Sequence, residues 1–260
     1  RIGTITMCND AKRNALSCEI CAALQKGLES CRAAGALAVV LRAKPGVRVW
    51  SAGHDIRDFR RIDGTSAESG TSRFQDPLSR EDAFVQLLVQ IKSMPVPVIG
   101  CVEGSVWGAA TDICACCDML VGTPDVTFAI TPAKIGLPYN ASGMAHFIQV
   151  VPVHVVKWMF FTGLPLTADE ALRIGFLNQV LPAEQLSERV ADLARTVAKR
   201  APLVVQLLKK QISTICSPPA LTPDAFEELH EMRRRTWCSR DMEEGIRAFF
   251  EKREPNFRGE

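Results

Sequence analysis

The sequence has few aromatic residues, little net charge and no long apolar run. Aromatic residues occupy 7% of the 260 positions, and Tyr139 is the single tyrosine. The formal net charge of +2 is too small to draw the chain to nucleic acid or to an anionic membrane surface. No stretch of about 18 apolar residues occurs, so no transmembrane helix is predicted. We therefore expect neither a nucleic acid nor a membrane as a partner.

What is present is typical of a globular protein with one substantial core. Hydrophobic residues make up 47% of the chain and charged residues 23%, which are ordinary proportions for such proteins. The sequence starts at Arg1 in a strand-like run, without a methionine. We expect that the natural protein begins upstream of this residue.

Ten cysteines lie mostly inside apolar runs and not at regular loop spacings. This pattern predicts buried thiols in a reducing compartment, which is the cytoplasm or, as an alternative, the mitochondrial matrix. A zinc site built from Cys18-x-x-Cys21 and the cysteines at 114, 116 and 117 is disfavoured, because both groups fall in helical patterns without a histidine at ligand spacing. We predict no metal site.

The order of apolar runs and turn residues predicts an α/β protein. Strand, strand and helix recur through the first two thirds, and helices fill the last third. We assign residues 1–195 to a β-β-α core and residues 196–260 to a C-terminal helical region. The polar, glycine- and serine-rich residues 58–76 are predicted to form a mobile loop.

Two stretches place small residues where a strand ends. Residues 103–112 read EGSVWGAATD and lead from a strand into a helix, and residues 51–56 read SAGHDI after an earlier strand. Small residues allow a ligand to approach the backbone closely, and the first turn of a helix offers N–H groups without intrahelical partners. Two such N–H groups that converge would form an oxyanion hole.

These two stretches together resemble the crotonase (enoyl-CoA hydratase/isomerase) superfamily. Residues 12–17 (KRNALS) and residues 250–257 (FEKREPNF) fit the same family, so the resemblance spans essentially the whole chain. It implies a crotonase (ClpP-like) spiral of β-β-α repeats, a homotrimer or dimer of trimers, and an acyl-CoA substrate. It implies no separate cofactor, because coenzyme A enters as part of the substrate.

The resemblance also implies the site residues. The backbone N–H groups of His54 and Ala109 would hold the thioester oxygen, and Tyr139 would complete the catalytic set. The implied substrate-binding residues are Arg13, Ala52, Gly53, His54, Asp55, Ile56, Gly108, Ala109, Thr131, Tyr139 and Lys252. The family usually has glycine at the position of Ala109, and the added methyl group would narrow the pocket. His146, His154 and His230 are isolated in the sequence, and we assign them no role.

The residues that would perform hydration are missing. A hydratase of this family uses two glutamates, which would align with Asp112, one methylene shorter, and with Pro132, which cannot transfer a proton. The pattern around Thr131 and Tyr139 instead resembles the branch of the family that decarboxylates malonyl-type thioesters. We predict decarboxylation, above all of methylmalonyl-CoA to propionyl-CoA.

This chemistry needs few side chains. Loss of CO2 leaves an enolate whose charge an oxyanion hole stabilises, and the neutral Tyr139 hydroxyl would hold the leaving carboxylate out of the thioester plane. The proton returned to carbon comes from water or from His54. Two alternatives stay open: an enoyl-CoA hydratase or isomerase that uses Asp112 alone, and a non-catalytic RNA-binding relative, which the near-neutral charge disfavours.

Overall fold

The computed structural model describes residues 1–55, 82–216 and 222–259. Nine strands occur in these residues: β1 (Gly3–Met7), β2 (Val39–Ala43), β3 (Val49–Ser51), β4 (Val98–Val102), β5 (Ser105–Trp107), β6 (Met119–Gly122), β7 (Thr127–Ala129), β8 (Leu166–Thr167) and β9 (Gln179–Val180). A five-stranded sheet has the order β1-β2-β4-β6-β9 and is parallel throughout. A four-stranded sheet has the order β3-β5-β7-β8, in which only β8 runs antiparallel to its neighbour.

Ten α-helices connect and cover these strands within the described ranges. They are α1 (Cys18–Ala33), α2 (Ala83–Ser93), α3 (Ala109–Cys116), α4 (Ala141–Val150), α5 (Val153–Thr162), α6 (Ala168–Arg173), α7 (Ala183–Ala198), α8 (Pro202–Ile215), α9 (Pro223–Trp237) and α10 (Arg240–Glu251). Among them, no helix is both long enough and apolar enough to span a lipid bilayer.

From β2 to β7, consecutive strands alternate between the two sheets. The strands β2, β4 and β6 lie in the larger sheet, and the strand that follows each of them, β3, β5 and β7, lies in the smaller one. Each repeat of the chain thus adds one strand to each sheet before a helix returns. This arrangement is the spiral of β-β-α repeats that the sequence predicted.

The larger sheet is buried on both faces. One face packs into the main core beside Trp50 and Phe128. The other face is covered by α7, whose Leu186, Val190 and Ala194 form a second apolar cluster with it. All five residues of Val98–Val102 are buried, which explains why this strand is a continuous apolar run and not an alternating one.

Most helix ends follow local signals that are visible in the sequence. The Ser17 side chain accepts from the N–H of Ile20 at the start of α1, and Thr167 and Glu170 form a capping box at the start of α6. The Asp82 side chain caps the start of α2 at Ala83 by accepting from the N–H groups of residues 84 and 85.

Three predictions are not decided by this architecture. The predicted loop at residues 58–76 and the candidate site residue Ile56 lie outside the described residues. The division of the chain at residue 195 stays a prediction.

Candidate active site

The segment that carries His54 is held in place by the loop at residues 9–17. The N–H of Ala52 donates to the carbonyl of Arg13 at 2.9 Å, and the N–H of Leu16 donates to the carbonyl of Gly53 at 2.8 Å. The Ser51 hydroxyl donates to the carbonyl of Asn14 at 2.7 Å. Because these bonds run in both directions between the two segments, the backbone after β3 is fixed before any ligand binds.

The two small-residue stretches meet at one edge of the smaller sheet. The strands β3 and β5 pair in parallel, so their carboxyl ends lie side by side. A Cβ atom added to Gly53 would collide with the carbonyl oxygen of Trp107 and lie 3.3 Å from the amide nitrogen of Ala109. The backbone beside His54 is therefore in contact range of the backbone at Ala109.

Helix α3 points its first turn at this meeting point. Gly108 precedes the helix with a φ of 52°, a conformation that favours glycine. Ala109 is the first helical residue, so its N–H has no partner within the helix and lies at the positive end of the helix dipole. All eight residues of α3 are buried, which keeps the dipole in a weakly screening environment.

A cavity of about 80 Å³ opens where these elements converge. Its lining among the described residues consists of Ala52, His54, Phe84, Gly108, Ala109, Asp112, Thr131, Pro132, Ile135, Leu137, Pro138, Tyr139, Asn140 and Trp237. Ligand pockets for drug-sized molecules are typically about 300–1,000 Å³, so this space suits a short acyl group.

Six of the predicted site residues line this cavity, and four others among the described residues lie outside its lining. Arg13 is exposed and adjoins Ala52 through the backbone hydrogen bond. Gly53 and Asp55 belong to the His54 segment. Lys252 ends α10 with a φ of 55° and is exposed, outside the cavity lining.

The His54 ring is partly buried and packs edge-on against Phe84, with ring centroids 4.6 Å apart. Loss of solvation lowers the pKa of His54 below its ordinary value, and the nearby Asp82 charge opposes this shift. The imidazole is therefore a neutral group at ordinary pH, which makes it a poor proton donor.

Tyr139 donates its hydroxyl proton to a buried carboxylate. The hydroxyl oxygen lies 2.8 Å from Oδ2 of Asp112, and Asp112 is only 1% exposed. Burial raises the pKa of Tyr139 well above the ordinary tyrosine value, and the Asp112 charge and hydrogen bond raise it further. The phenol therefore stays neutral, as the sequence analysis expected, but it has a partner that the sequence analysis did not predict.

His146 is the second partner of Asp112, and it is not isolated as the sequence indicated. Its Nδ1 lies 2.7 Å from Oδ1 of Asp112, so the carboxylate receives one donor on each oxygen. The Cys116 thiol reaches Oδ1 at 3.9 Å. No local sequence signal identifies His146, because its partner Asp112 lies on another helix, 34 residues earlier in the chain.

The same cluster holds three groups that can bind metals in other proteins. Ligand atoms of Asp112, Cys116 and His146 lie within 4.8 Å of one another. Two ligands of a tetrahedral ion, each about 2.0–2.1 Å from it, are about 3.3 Å apart, whereas Nδ1 and Oδ1 here are 2.7 Å apart. Burial also raises the pKa of the Cys116 thiol well above its usual value. The geometry fits a hydrogen-bonded cluster better than a metal site.

Gly143 provides the space in which Tyr139 meets Asp112. A Cβ atom at this position would lie 2.7 Å from Cε1 of Tyr139 and 2.8 Å from Oδ2 of Asp112. The N–H of Gly143 donates to the Asn140 side chain, which caps α4. Helix α4 thus places Tyr139 just before its N-cap and His146 within its second turn, both directed at α3.

Comparisons with known proteins agree on one family. The family model described as enoyl-CoA hydratase/isomerase matches residues 1–260. The chain is 35% identical to the methylmalonyl-CoA decarboxylase of Escherichia coli over 248 residues, which cover 95% of this chain and 91% of that protein. It is 31% identical to the human mitochondrial enoyl-CoA hydratase domain-containing protein 3, covering 98% of this chain and 80% of that protein.

A solved structure shows the same relationship. The structure of a methylmalonyl-CoA decarboxylase complexed with 2S-carboxypropyl-CoA superposes on this chain with a TM-score of 0.91 at 34% identity. The alignment covers 100% of this chain and 95% of that one.

Proposed function

The chain belongs to the enoyl-CoA hydratase/isomerase family, and on that premise we propose that it releases CO2 from a malonyl-type acyl-CoA thioester. The resemblance and the crotonase-type spiral predicted from the sequence are both confirmed. Methylmalonyl-CoA, converted to propionyl-CoA, is the first substrate to test, because the E. coli relative at 35% identity is a methylmalonyl-CoA decarboxylase. The observation that carries the proposal is Tyr139 facing the converged backbone of His54 and Ala109 across one small cavity.

The oxyanion hole is the part of the site that stabilises charge. The thioester oxygen would accept hydrogen bonds from the N–H groups of His54 and Ala109. When the C–C bond to the carboxylate breaks, CO2 leaves and the electron pair moves into the thioester, so negative charge grows on that oxygen. Fixed donors and a helix dipole aimed at this charge lower the barrier without any cofactor.

The other end of the cavity would hold the carboxylate. The neutral Tyr139 hydroxyl can bind it by one hydrogen bond, and Thr131 bounds the same space. The buried Asp112 behind Tyr139 repels the substrate carboxylate, and this repulsion is relieved as the negative charge moves from the carboxylate to the thioester oxygen in the oxyanion hole. An interaction that raises the free energy of the bound substrate more than that of the transition state increases the rate. Because burial makes His54 a poor acid, we assign the proton that the enolate carbon takes up to water.

Hydration of an enoyl-CoA is the second candidate function. It would need a free carboxylate to activate water, but both oxygens of Asp112 accept hydrogen bonds, from Tyr139 and from His146. Pro132 lines the cavity where the second glutamate of a hydratase would align. These contacts favour decarboxylation.

A screen of acyl-CoA thioesters by mass spectrometry tests the proposal. We expect the mass of methylmalonyl-CoA to fall by one CO2, and crotonyl-CoA to gain no water. The variant Tyr139→Phe should lose activity by about tenfold to a hundredfold, the worth of a hydrogen bond to a charged group. Water addition that Asp112→Asn abolishes would instead establish the hydratase reading.

Contacts to the coenzyme A part are proposed for two cations outside the cavity. Arg13 lies on the loop that holds the His54 segment, and its exposed guanidinium is free to reach phosphate oxygens at the entrance. Lys252, at the end of α10, is the second candidate. Replacing either should raise KM and leave kcat nearly unchanged, because these contacts are the same in ground and transition states.

Assembly of three copies, alone or as a dimer of trimers, is also proposed. Helix α8 has no buried residue and exposes a face of large apolar side chains, with Leu203 79% and Ile215 80% exposed. Exposed apolar patches of this kind mark protein–protein contacts. For location we propose the cytoplasm or the mitochondrial matrix, since the relatives include a bacterial enzyme and mitochondrial proteins.

A further inference from the structure

We propose that His146 is a positioning residue that frees the Tyr139 hydroxyl to bind the substrate carboxylate. This inference rests on the proposed decarboxylation and adds to it a residue outside the cavity lining. It starts from the hydrogen bonds around Asp112, where Oδ2 accepts from Tyr139 at 2.8 Å and Oδ1 accepts from His146 at 2.7 Å.

The Tyr139 hydroxyl has one proton for two acceptors. In the ligand-free protein that proton is donated to Asp112. A bound malonyl-type substrate brings a second carboxylate to the same hydroxyl, and a phenol can donate only one hydrogen bond. Productive binding therefore requires Tyr139 to turn its proton from Asp112 to the substrate.

Loss of the Tyr139 hydrogen bond would cost free energy if Asp112 had no other donor. The residue is 1% exposed, and a buried carboxylate that loses its donors pays a large desolvation penalty. The Cys116 thiol, at 3.9 Å, is a weak donor and does not replace a hydroxyl. Only a second strong donor that stays in place can keep the carboxylate satisfied during the exchange.

His146 meets this requirement. An ionised carboxylate only accepts hydrogen bonds, so the contact at 2.7 Å requires a proton on Nδ1. The His146 side chain is 15% exposed, and its helix α4 also carries the capping residue Asn140 next to Tyr139. Tyr139 precedes this N-cap, whereas His146 lies within the helix. The hydroxyl can therefore turn away from Oδ2 while the helix keeps His146 at Oδ1.

The single tyrosine makes this exchange directly observable. Protein labelled with ¹³C at the phenol carbon gives one tyrosine signal, whose position reports the strength of the Tyr139 hydrogen bond. In the free protein, His146→Leu removes a donor from Asp112 and should shift this signal toward that of tyrosinate. His146→Asn restores an N–H near the position of Nδ1 and should return the signal close to that of the wild type.

The kinetic constants should change in the same pattern. We expect His146→Leu to lower kcat by about tenfold to a hundredfold, the value of one hydrogen bond to a charged group, with little change in KM because coenzyme A contacts dominate binding. His146→Asn should recover kcat to within a few-fold. His154→Leu, an exposed histidine on α5, is the matched control and should behave as the wild type.

Two outcomes would overturn the proposal: an unchanged tyrosine signal in His146→Leu, or an Asn variant as impaired as the Leu variant. If the Leu variant does not fold, wild-type protein with ¹⁵N-labelled histidine decides. Adding 2S-carboxypropyl-CoA should move the tyrosine signal while Nδ1 of His146 stays protonated, and loss of that proton would contradict the proposal. Failure of the proposed reaction is seen separately, as the absence of CO2 release by the wild type.

Discussion

The proposed chemistry requires the Tyr139 hydroxyl to keep its proton. Burial, and then the Asp112 charge, raise its pKa well above the ordinary value of about 10. The folded protein therefore keeps this proton at a pH where the unfolded chain loses it. The tighter binding of this proton in the folded state contributes to the free energy of unfolding. That contribution is fully present below about pH 10 and is lost as the pH rises through the raised pKa of Tyr139.

An alkaline titration measures this directly, because the protein has no other tyrosine. We expect the ultraviolet absorbance of tyrosinate to appear only together with the loss of the circular dichroism of the fold. Asp112→Asn removes the neighbouring charge and should allow tyrosinate to form at lower pH. Ionisation of Tyr139 in the folded wild type near pH 10 would contradict the burial described here.

Gly143 gives a second prediction at the residue scale. In Gly143→Ala, the new methyl group would collide with Oδ1 of the capping Asn140, and it would also lie 2.7 Å from the Tyr139 ring and 2.8 Å from the Asp112 carboxylate. The hydrogen bond between them must lengthen, so we expect kcat to fall by about tenfold or more, as for loss of a hydrogen bond to a charged group.

Gly27→Ala is the matched control for this substitution. Gly27 also lies in a helix, but its Cβ would come no closer than 3.3 Å to the flexible Ile5 side chain. In decarboxylation assays, Gly143→Ala should have a reduced kcat and Gly27→Ala should have nearly the kcat of the wild type. Equal activity would mean that Gly143 has no part in positioning Tyr139.

Single residues also show the limit of sequence analysis. The sequence pattern around Thr131 and Tyr139 indicated that Tyr139 lies in the cavity wall, because residues close together on one loop lie close together in the fold. Its bond to Asp112 and the role of His146 were not predicted, because each contact joins α3 to α4 across the fold. A histidine without a sequence neighbour of complementary chemistry carries no signal until the tertiary structure places a carboxylate beside it.

At the scale of elements, the oxyanion hole depends on how closely two strand ends approach. Gly53 has a φ of 79°, and its added Cβ would collide with the carbonyl of Trp107. Gly53→Ala should therefore separate the His54 segment from the start of α3. Loss of one oxyanion donor typically costs about two to three powers of ten in rate, and we expect kcat to fall by that amount.

Gly46→Ala isolates the effect of the collision. Gly46 has nearly the same φ, 78°, but nothing lies within 4 Å of its added Cβ. Both variants therefore carry similar backbone strain, and only Gly53→Ala should lose activity while it remains folded. A similar loss of kcat in both would show that strain, and not the approach of the two segments, was responsible.

Lys209 connects helix α8 to the core. The Lys209 ammonium donates to Asp118 at 2.6 Å and to the carbonyl of Val96 at 3.2 Å, and its side chain is 10% exposed. Asp118 also accepts from the N–H of Val98. Lys209→Met leaves a partly buried carboxylate without its cation, which we expect to lower the free energy of unfolding by about 1–3 kcal/mol.

Chemical denaturation followed by circular dichroism measures this loss. The neighbouring Lys210 is exposed, so Lys210→Met should leave the midpoint nearly unchanged. A midpoint for Lys209→Met equal to that of Lys210→Met would show that α8 is held by its other contacts.

At the scale of the whole molecule, the repeat of strand, strand and helix was predictable because buried parallel strands are apolar runs that turn residues separate. Strands such as β4 carry five consecutive buried residues, and capping residues mark the helices between them. The strands β8 and β9 have only two residues each, too few for any periodicity. Their place in the two sheets follows from tertiary packing, which the sequence does not display locally.

The exposed apolar face of helix α8 predicts that several copies of the chain assemble. The lysine that holds α8 lies on the inner side of the helix, whereas Leu203, Leu207 and Ile212 lie on the outer side and are exposed. An exposed apolar face of this kind on a helix marks a contact with another chain. We expect light scattering after size exclusion to give the mass of three copies, or of six.

Leu207→Asp tests whether this face forms the contact. A buried aspartate without a partner is costly at an interface, yet Leu207 is 54% exposed in the single chain, so the fold of each copy should survive. We expect the variant to elute as a monomer, and Gln206→Asp, on the same helix but outside the apolar face, to keep the wild-type mass. If Leu207→Asp keeps that mass as well, the copies meet through another surface.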